Sequence, residues 1–301
     1  DGIRDHCVTG VQTCALPIST HLLDTRVNPR FAGICTFCRY PRLADVPPEH
    51  RPIDWVIYGA PFDGGVTYRP GARFAPRAIR EASQYVKPFH LEFGVNVAER
   101  LSLADGGDAP TRPFDVRDNT VAMYEFARTL GDAGSKLLAV GGDHSVAYAN
   151  IKATWERQGS PKGGLSLIHI DSHLDTVDVI WGEQWSHGSV FRRAIEDGLI
   201  DPRRMVSIGV KGPLNTGADL EFAAAHGVTI ITYEQLFRDG QKQLAHFLKH
   251  AAEERRPTYL TFDIDVVDPA YAPGTGTPSI GGFTSRSEEH TSELQSHSDL
   301  V

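Results

Sequence analysis

The sequence predicts an α/β protein built around a doubly wound, mainly parallel sheet. Three observations support this class. Short, almost continuously apolar runs alternate with helix-like stretches from about residue 53 onward. Acidic and histidine clusters stand directly after three of these runs, at the sheet edge where ligands bind in open α/β folds. Residues 19–286 contain no internal repeat, low-complexity linker or change of composition, so one domain is expected.

The predicted strands are apolar at almost every position, as strands covered on both faces by helices are. They are Ile53–Ala60, Leu101–Asp105, Lys136–Val140, Leu165–Ile170, Met205–Val210, Val228–Thr232 and Thr258–Ile264. The predicted helices are Ala75–Ser83, Val121–Leu130, Val146–Arg157, Val190–Glu196, Ala218–Ala225 and Gln235–Glu254. Gly159, Gly198 and Gly227 end three of them, because glycine best adopts the left-handed conformation of a helix cap.

The composition of the 301-residue chain, with 41% hydrophobic and 23% charged residues, is that of a soluble globular protein. No apolar run reaches the about 20 residues that cross a membrane. A net charge of −8 disfavours a nucleic-acid-binding protein and fits a cationic substrate. The two ends carry −5 of this charge, which leaves −3 on residues 19–286 and weakens the argument for a cationic substrate.

The two ends of the chain differ from its body. The first 18 residues lack the basic start and continuous apolar stretch of a signal peptide, and the last 15 contain no Lys, Arg, Phe, Tyr, Trp or Ile. Both ends resemble translated sequencing-adapter sequence. We therefore expect residues 1–18 and 287–301 to be non-native and the domain at residues 19–286 to be incomplete at its carboxyl end. The alternative is a pair of ordinary polar tails.

Cysteine usage points to a reducing cytoplasm, because four cysteines are too few for a disulfide framework in a chain of this length. Cys35 and Cys38 form a C-x-x-C pair, but no second pair stands at zinc-ribbon spacing. Free thiols are favoured over a redox or metal-binding role for this pair.

Three polar clusters carry the chemistry. Gly141–Ser145 (GGDHS), Asp171–Asp175 (DSHLD) and Asp263–Asp265 (DID) each follow a predicted strand. Taken alone, each is explained as a turn or a helix cap. Taken together, they are expected to converge on one crevice, because the carboxyl ends of parallel strands meet at one sheet edge.

Alternation along the chain predicts which of these side chains share a face. If the backbone is extended, Asp171, His173 and Asp175 point the same way. Asp263 and Asp265 do the same. Carboxylates at this density repel one another, and cations are the natural compensation. Carboxylate and imidazole ligands suit Mn²⁺, and two ions that share carboxylates account for a ligand set this large.

The motifs GGDHS, DSHLD and FDIDVVDPAYAPGTGTP resemble, in order and spacing, the three signature blocks of the ureohydrolase (arginase/agmatinase) family. GAPFDGGVTYRPGARFAPRAIREAS resembles that family's amino-terminal substrate-loop region, so the resemblance covers roughly residues 25–286. It implies a three-layer α/β/α fold, two Mn²⁺ ions per chain, and a trimer or hexamer in the cytoplasm. One ion would be bound by His144, Asp171, Asp175 and Asp263. The other would be bound by Asp171, His173, Asp263 and Asp265, with Asp171 and Asp263 bridging.

The resemblance also implies catalytic roles for Asp171 and Asp263, which would hold the ions, and for His187 in Trp-Ser-His-Gly-Ser. His187 matches the family histidine that returns a proton to the leaving amine. The alternative is a capping or packing histidine ahead of helix Val190–Glu196. Pro273–Pro278 resembles the wall of the family's active site, since its glycines allow close approach of a ligand.

One departure from the family pattern concerns substrate binding. After Gly-Gly-Phe-Thr-Ser-Arg the family has a glutamate that binds the guanidinium group, and this chain has Ser287 there. Glu288 stands one residue late and would face the other way in an extended segment. The sequence therefore assigns no residue to guanidinium binding.

The substrate class is a guanidino compound, cleaved to urea and an amine. The segment DTVDVIWGEQWSHGSVFRRAIEDGLI is more similar to agmatinases and to guanidinobutyrate or guanidinopropionate hydrolases than to arginases. Agmatine is the first choice. Arg69, Arg73 or Arg77 would pair with the carboxylate of a guanidino acid, unless these arginines form surface or intersubunit ion pairs.

Three other functions remain open. A formimino-amide hydrolase of the same superfamily keeps every metal ligand and is separated by a substrate panel. A deacetylase-like enzyme of related fold holds one zinc ion and is separated by metal stoichiometry. A truncated product binds metal without turnover.

Overall fold

The computed structural model describes residues 25–212, 214–253 and 256–285. Its strands are β1 (Trp55–Ala60), β2 (Phe89–His90), β3 (Val95–Asn96), β4 (Leu103–Asp108), β5 (Lys136–Gly141), β6 (Leu165–Ile170), β7 (Ile200–Val210), β8 (Thr229–Thr232) and β9 (Thr258–Phe262). Its helices are α1 (Ala75–Ala82), α2 (Val97–Arg100), α3 (Val116–Thr129), α4 (Val146–Arg157), α5 (Val190–Glu196), α6 (Ala218–His226), α7 (Tyr233–Gln235) and α8 (Gln241–Glu253). The proposed non-native ends and Ser287 lie outside the described residues.

The predicted strands and helices are all present, with shifted ends. Helix α3 begins five residues before its prediction, because Asp115 caps it by accepting the Asp118 N–H at 2.7 Å. The segment predicted as one helix from Gln235 is divided into α7, a π-helical turn over Leu236–Gly240, and α8. Gly227 caps α6 with φ of 78°, as its position in the sequence predicts. The hairpin of β2 and β3 was not predicted.

The strands pair in parallel, apart from the β2–β3 hairpin, which confirms a mainly parallel α/β fold. They form two sheets, in the orders β4–β1–β5 and β8–β7–β6–β9. In the described residues β5 and β9 are edge strands, so the predicted mainly parallel sheet is present as two parts. Leu138 of β5 and Leu260 of β9 remain 48% and 43% exposed on these edges.

Helix α4 connects the two sheets. Asn150 of α4 accepts a hydrogen bond from the Tyr58 hydroxyl of β1 at 3.0 Å and donates one to the Tyr259 hydroxyl of β9 at 2.8 Å. Because α4 begins directly after the Gly141–Ser145 cluster, its attachment to both sheets sets the position of that cluster relative to β9.

The core explains why the strands are apolar at successive positions. In β6, Leu165 and Leu167 pack into a cluster with Phe191 of α5. Ile168 and Ile170, on the opposite face, pack into a second cluster with the buried side of α8. Each face of β6 is thus covered, and burying one such side chain contributes about 1.5–3 kcal/mol. None of the described helices combines the length and apolar character that a membrane span requires.

Candidate metal centre

Three loops at the carboxyl ends of β5, β6 and β9 bring the six predicted metal ligands together. The first group surrounds the His144 imidazole. Its Nδ1 atom lies 2.9 Å from Asp171 Oδ2, 3.0 Å from Asp175 Oδ2 and 3.3 Å from Asp263 Oδ2. His144, Asp171 and Asp175 are buried, and Asp263 is half-buried.

The second group surrounds the His173 imidazole, which is partly exposed. Its Nδ1 atom lies 3.0 Å from Asp265 Oδ2 and 3.4 Å from Asp171 Oδ1. Asp171 therefore belongs to both groups and presents a different oxygen to each. Asp263 is next to this group through its Oδ1 atom, which accepts the Asp265 N–H at 2.9 Å. Asp171 is common to both groups, whereas Asp263 contacts the His144 imidazole and not that of His173, so the division into two ligand sets bridged by both residues stays a prediction.

Turns, and not extended backbone, direct these side chains. Strand β6 ends at Ile170, before the DSHLD motif, and Asp175 has a left-handed backbone with φ of 52°. Asp263 caps a short 3-10 helix over Ile264–Val266. The expected alternation is therefore the wrong reason for the convergence. The side chains share one crevice because each loop folds back over the end of its strand.

The environment of His144 suits a metal ligand. Its Nε2 atom lies 2.8 Å from the hydroxyl of Thr261 in β9. Its Nδ1 atom is buried and has no hydrogen bond of good geometry among the described residues, although three carboxylates surround it. A metal-bound imidazole commonly donates its second N–H to an oxygen, which fixes the nitrogen that faces the ion. Thr261 supplies such an oxygen, and sequence reasoning did not identify it.

Side chains of the two groups are protonated when no ion is bound, because neighbouring charges raise their pKa values. Burial lowers the pKa of His144, but contacts with Asp171, Asp175 and Asp263 outweigh it and raise that pKa well above its usual value. Burial likewise opposes a charged His173, yet Asp171 and Asp265 raise its pKa to about 11. Burial, with the neighbouring Asp171 and Asp263 carboxylates, raises the pKa of Asp265 to about 8. Divalent cations would take the place of these protons.

His169 is a site residue that sequence reasoning missed. It is fully buried in β6, with Nε2 2.9 Å from Asp171 Oδ2 and Nδ1 3.1 Å from the Ser207 hydroxyl of β7. The signal that could have found it is its position near the end of β6, two residues before Asp171. It was overlooked because it lies within the apolar run LSLIHI.

His187 lies beside the loop that follows β1. Its Nε2 atom is 2.8 Å from Thr67 Oγ1 and 3.3 Å from the Thr67 backbone nitrogen. Its backbone N–H donates to Gly65 O at 3.1 Å. Ser186 and Ser189 form the capping box at this point, so the His187 ring is not the helix cap.

Gly65 connects His187 to the GGDHS motif. Its N–H donates to Asp143 Oδ2 at 2.7 Å. A Cβ atom at this position would lie 3.1 Å from the His187 backbone nitrogen and 3.2 Å from Asp143 Oδ2. Burial raises the pKa of Asp143, against the hydrogen bonds that it accepts and the nearby His187. The close approach favours glycine at this position, where the loop after β1 and the histidine loop are held together.

The Pro273–Pro278 loop lies between the second ligand group and the loop after β1. Thr277 Oγ1 is 3.4 Å from Asp265 Oδ2, and Gly276 O accepts the Arg69 N–H at 3.2 Å. This position agrees with the predicted role of the loop as a wall of the site.

The three arginines considered for a substrate carboxylate have different surroundings. Arg73 forms an ion pair with the buried Asp63 carboxylate, which also accepts the Gly71 N–H at 2.6 Å. The guanidinium of Arg69 lies over the Tyr68 ring at 5.0 Å, and Arg77 is exposed on α1. Arg73 is therefore engaged in holding its own loop.

Cys35 and Cys38 are free thiols. Burial raises the pKa of Cys38. Neither cysteine belongs to a group of three or more metal-ligating side chains in the part of the chain that the structure describes.

Known proteins share this sequence and fold. A model of the arginase family matches residues 53–300. The chain is 39% identical over 264 residues to proclavaminate amidinohydrolase of Streptomyces clavuligerus, which covers 88% of this chain and 82% of that protein. It is 40% identical over 269 residues to guanidinopropionase of Pseudomonas aeruginosa, covering 87% and 80% of the two chains. It is 35% identical over 257 residues to mitochondrial agmatinase of Gallus gallus, covering 85% and 72%.

The solved structure of the Streptomyces clavuligerus proclavaminate amidinohydrolase is also similar to this chain. The two align with a TM-score of 0.75 and 38% sequence identity over 86% of this chain and 83% of that chain. The family model spans most of the sequence, and the relatives named above are matched over more than two thirds of their own lengths. The chain therefore belongs to the arginase family and is a metal-dependent hydrolase that acts on carbon–nitrogen bonds.

Proposed function

We propose that this protein binds two Mn²⁺ ions and hydrolyses a guanidino compound to urea and an amine. The observation that carries the proposal is the pair of ligand groups that share Asp171. One group gathers around His144 and the other around His173, and each receives a different Asp171 oxygen. A single ion does not account for two imidazoles that face separate sets of carboxylates.

The ligand types support manganese. The proposed ligands of the first ion are His144, Asp171, Asp175 and Asp263. Those of the second ion are Asp171, His173, Asp263 and Asp265. Carboxylates with two imidazoles suit Mn²⁺, whereas structural zinc sites favour thiolates. The buried His144 Nδ1 atom, surrounded by carboxylates without a well-formed hydrogen bond, is the atom expected to face an ion.

The reaction requires a nucleophile, charge stabilisation and a proton for the leaving amine. Two divalent ions would lower the pKa of bound water towards neutrality and balance the charges of the four carboxylates. The unprotonated Nε2 atom of His187 would accept the proton that the attacking water loses and pass it to the leaving nitrogen.

Thr67 is suited to hold His187 through such a transfer. Its hydroxyl lies 2.8 Å from Nε2 and is able to donate to the unprotonated nitrogen or accept from the protonated one. The ring therefore keeps a hydrogen-bond partner in both protonation states. We assign Thr67 as a positioning residue for His187.

Two substrates are proposed. Agmatine is the candidate that the sequence favours, and the similarity to mitochondrial agmatinase of Gallus gallus supports it. The second candidate is a guanidino acid, because guanidinopropionase and proclavaminate amidinohydrolase, at 40% and 39% identity, are named for acidic guanidino substrates. We further propose a cytoplasmic homo-oligomer, a trimer or a hexamer, on the basis of the family resemblance.

Metal content and urea release test the proposal together. The purified chain, and a variant with residues 287–301 exchanged for the ending of an active ureohydrolase, are loaded with Mn²⁺ and assayed for urea with agmatine, guanidinobutyrate, guanidinopropionate and a formimino amide. Two manganese ions per chain and urea from a guanidino compound support the proposal. One tightly bound zinc ion per chain contradicts the binuclear site, and turnover of the formimino amide alone contradicts the substrate class. Size-exclusion chromatography with light scattering measures the oligomeric state.

A further inference from the structure

His169 occupies an unusual position for a buried polar residue. It is fully buried in the centre of the second sheet, between Thr261 of β9 and Ser207 of β7 in the strand register. Its ring packs against the rings of Phe191 at 4.4 Å and His144 at 5.5 Å, measured between centroids. A polar side chain buried to this extent destabilises the fold unless its hydrogen bonds are satisfied, so its two nitrogens indicate its role.

Both ring nitrogens of His169 have partners. An ionised carboxylate only accepts hydrogen bonds, so the contact of 2.9 Å with Asp171 Oδ2 requires a proton on Nε2. Nδ1 of the neutral ring then accepts the Ser207 hydroxyl proton across 3.1 Å. The result is a directed chain from Ser207 through His169 to Asp171. No ring nitrogen is left to bind an ion directly.

Each carboxylate oxygen of Asp171 accepts one of these hydrogen bonds. Oδ1 accepts the backbone N–H of His173 at 2.7 Å, and Oδ2 accepts the His169 side chain. Each carboxylate oxygen has about two lone-pair directions. One direction on Oδ1 is therefore left towards the His173 group, and one on Oδ2 towards the His144 group.

The other carboxylates of the site are held differently. Asp263 receives a backbone N–H at Oδ1, and Asp265 receives one at Oδ1 from Ser172 at 3.2 Å. The Thr277 hydroxyl also lies 3.4 Å from Asp265 Oδ2. Asp171 differs in that its non-ligand partner is a fully buried imidazole at 2.9 Å, on the strand that leads into the motif.

We propose that His169 is a positioning residue, which holds the Asp171 carboxylate so that each of its oxygens faces a different metal ion. The Asp171 carboxylate fixes the tautomer of His169, and the Ser207 hydroxyl satisfies its second nitrogen. This inference rests on the proposed binuclear function, and it separates His169 from the ligands although His169 lies within ligand distance of His144, Asp171 and Asp175. Partners that orient metal ligands commonly change metal affinity by about 10–100-fold when removed.

The test compares three variants by manganese titration of the metal-free protein. His169→Leu removes the donor and keeps an apolar side chain of similar bulk. His169→Gln retains an N–H donor near the position of Nε2. Phe191→Leu alters the packing around the His169 and His144 rings without removing a side-chain hydrogen bond, and is the control for packing. Thermal unfolding of each metal-free variant separates loss of fold from loss of metal.

We expect His169→Leu to bind two ions at saturation with about 10–100-fold weaker affinity. His169→Gln should recover most of that loss, and Phe191→Leu should bind as the wild type does. The electron paramagnetic resonance spectrum of the coupled manganese pair should change in His169→Leu, since the orientation of a shared ligand changes.

Three results overturn the role of His169. Saturation of His169→Leu at one ion makes His169 a ligand. Unchanged manganese affinity and an unchanged spectrum in His169→Leu would show that His169 does not position Asp171. A His169→Gln variant that folds but binds no better than His169→Leu removes the donor argument. If the wild-type chain itself binds fewer than two ions, the proposed function fails first, independently of the variants.

Discussion

Asp171 is the residue on which the two ligand groups depend, because its two oxygens face different imidazoles. His173 belongs to one group only. We therefore predict that His173→Ala lowers the manganese content from two ions to one, whereas Asp171→Ala disturbs both. Elemental analysis of dialysed protein measures the stoichiometry. Equal loss of both ions in the two variants would contradict the assignment of His173 to a single site.

Protons bound to the metal-free protein predict how manganese binding depends on pH. His173, with a pKa raised to about 11, and Asp265, with a pKa raised to about 8, are both protonated at neutral pH when no ion is bound. An ion must displace these protons, so its apparent affinity should rise as pH rises between about 6 and 8. Isothermal titration in buffers of different ionisation enthalpy counts the released protons. Binding without proton release would contradict these raised pKa values.

His187 acts on a proton and not on the metals in the proposed reaction. His187→Ala should keep both manganese ions and lower kcat by about 10²–10⁴-fold, the usual effect of losing a general acid or base. Thr67→Val should lower kcat less, and Thr67→Ser, which retains the hydroxyl, should be close to wild type. The variants are made in a background protein that releases urea at a measurable rate. Unchanged turnover in His187→Ala, with chemistry as the slow step, would remove the proton-transfer role.

At the scale of elements, Gly142 allows the end of β5 and the GGDHS motif to pack closely against the end of β1 and the loop after it. The Gly142 N–H donates to Ala60 O at 3.1 Å, and the Asp143 N–H donates to Phe62 O at 2.8 Å. A Cβ atom on Gly142 would overlap Phe62 O and lie 2.8 Å from Ala60 O. No rotation of a side chain relieves this overlap, because both partners are backbone atoms. The β5 end and the loop after β1 must separate if any side chain is present.

We predict that Gly142→Ala destabilises the fold by more than the about 1 kcal/mol typical of point mutations and also weakens manganese binding. Gly134→Ala is the matched control, since a Cβ atom there meets nothing within 4 Å. Thermal unfolding of both variants, with and without manganese, gives the comparison. Equal melting temperatures for the two variants would show that the loop after β1 moves away from residue 142 without loss of stability.

At the scale of the whole molecule, α4 and the loops of the site join the two sheets. Leu138 of the edge strand β5 and Leu260 of the edge strand β9 are about half exposed. Unpaired apolar edges favour association with other chains. Guanidinium binding has a separate requirement, because the position of the expected glutamate is Ser287, which lies outside the described residues.

We predict that the 301-residue chain releases urea from agmatine slowly or not at all, even with both ions bound. Loss of one charge-assisted contact to the guanidinium costs about 2–5 kcal/mol in binding. Exchanging residues 287–301 for the ending of an active ureohydrolase should restore both solubility and urea release. Ser287→Glu alone should restore neither fully. An ordinary enzymatic rate from the unaltered chain would contradict this, and Glu288 would then be the first residue to test for guanidinium binding.

The sequence by itself determined the fold class, the strand and helix positions, and the six residues of the candidate metal centre. These follow from local patterns: apolar runs mark buried strands, and charged clusters after them mark the sheet edge. His187 was selected by its motif. The departure at Ser287 is likewise a matter of residue identity alone.

Only the tertiary structure decided how these residues face one another. These orientations join segments that are distant in the chain or depend on backbone torsions. Examples are the turn at Asp175, the contact of His187 with Thr67, the hydroxyl of Thr261 on His144 and the contact of His169 with Ser207. The division into two sheets is of the same kind, because strand pairing depends on which edges meet. The sequence gives the chemical identity of each side chain, whereas packing between remote segments sets the orientation of that side chain.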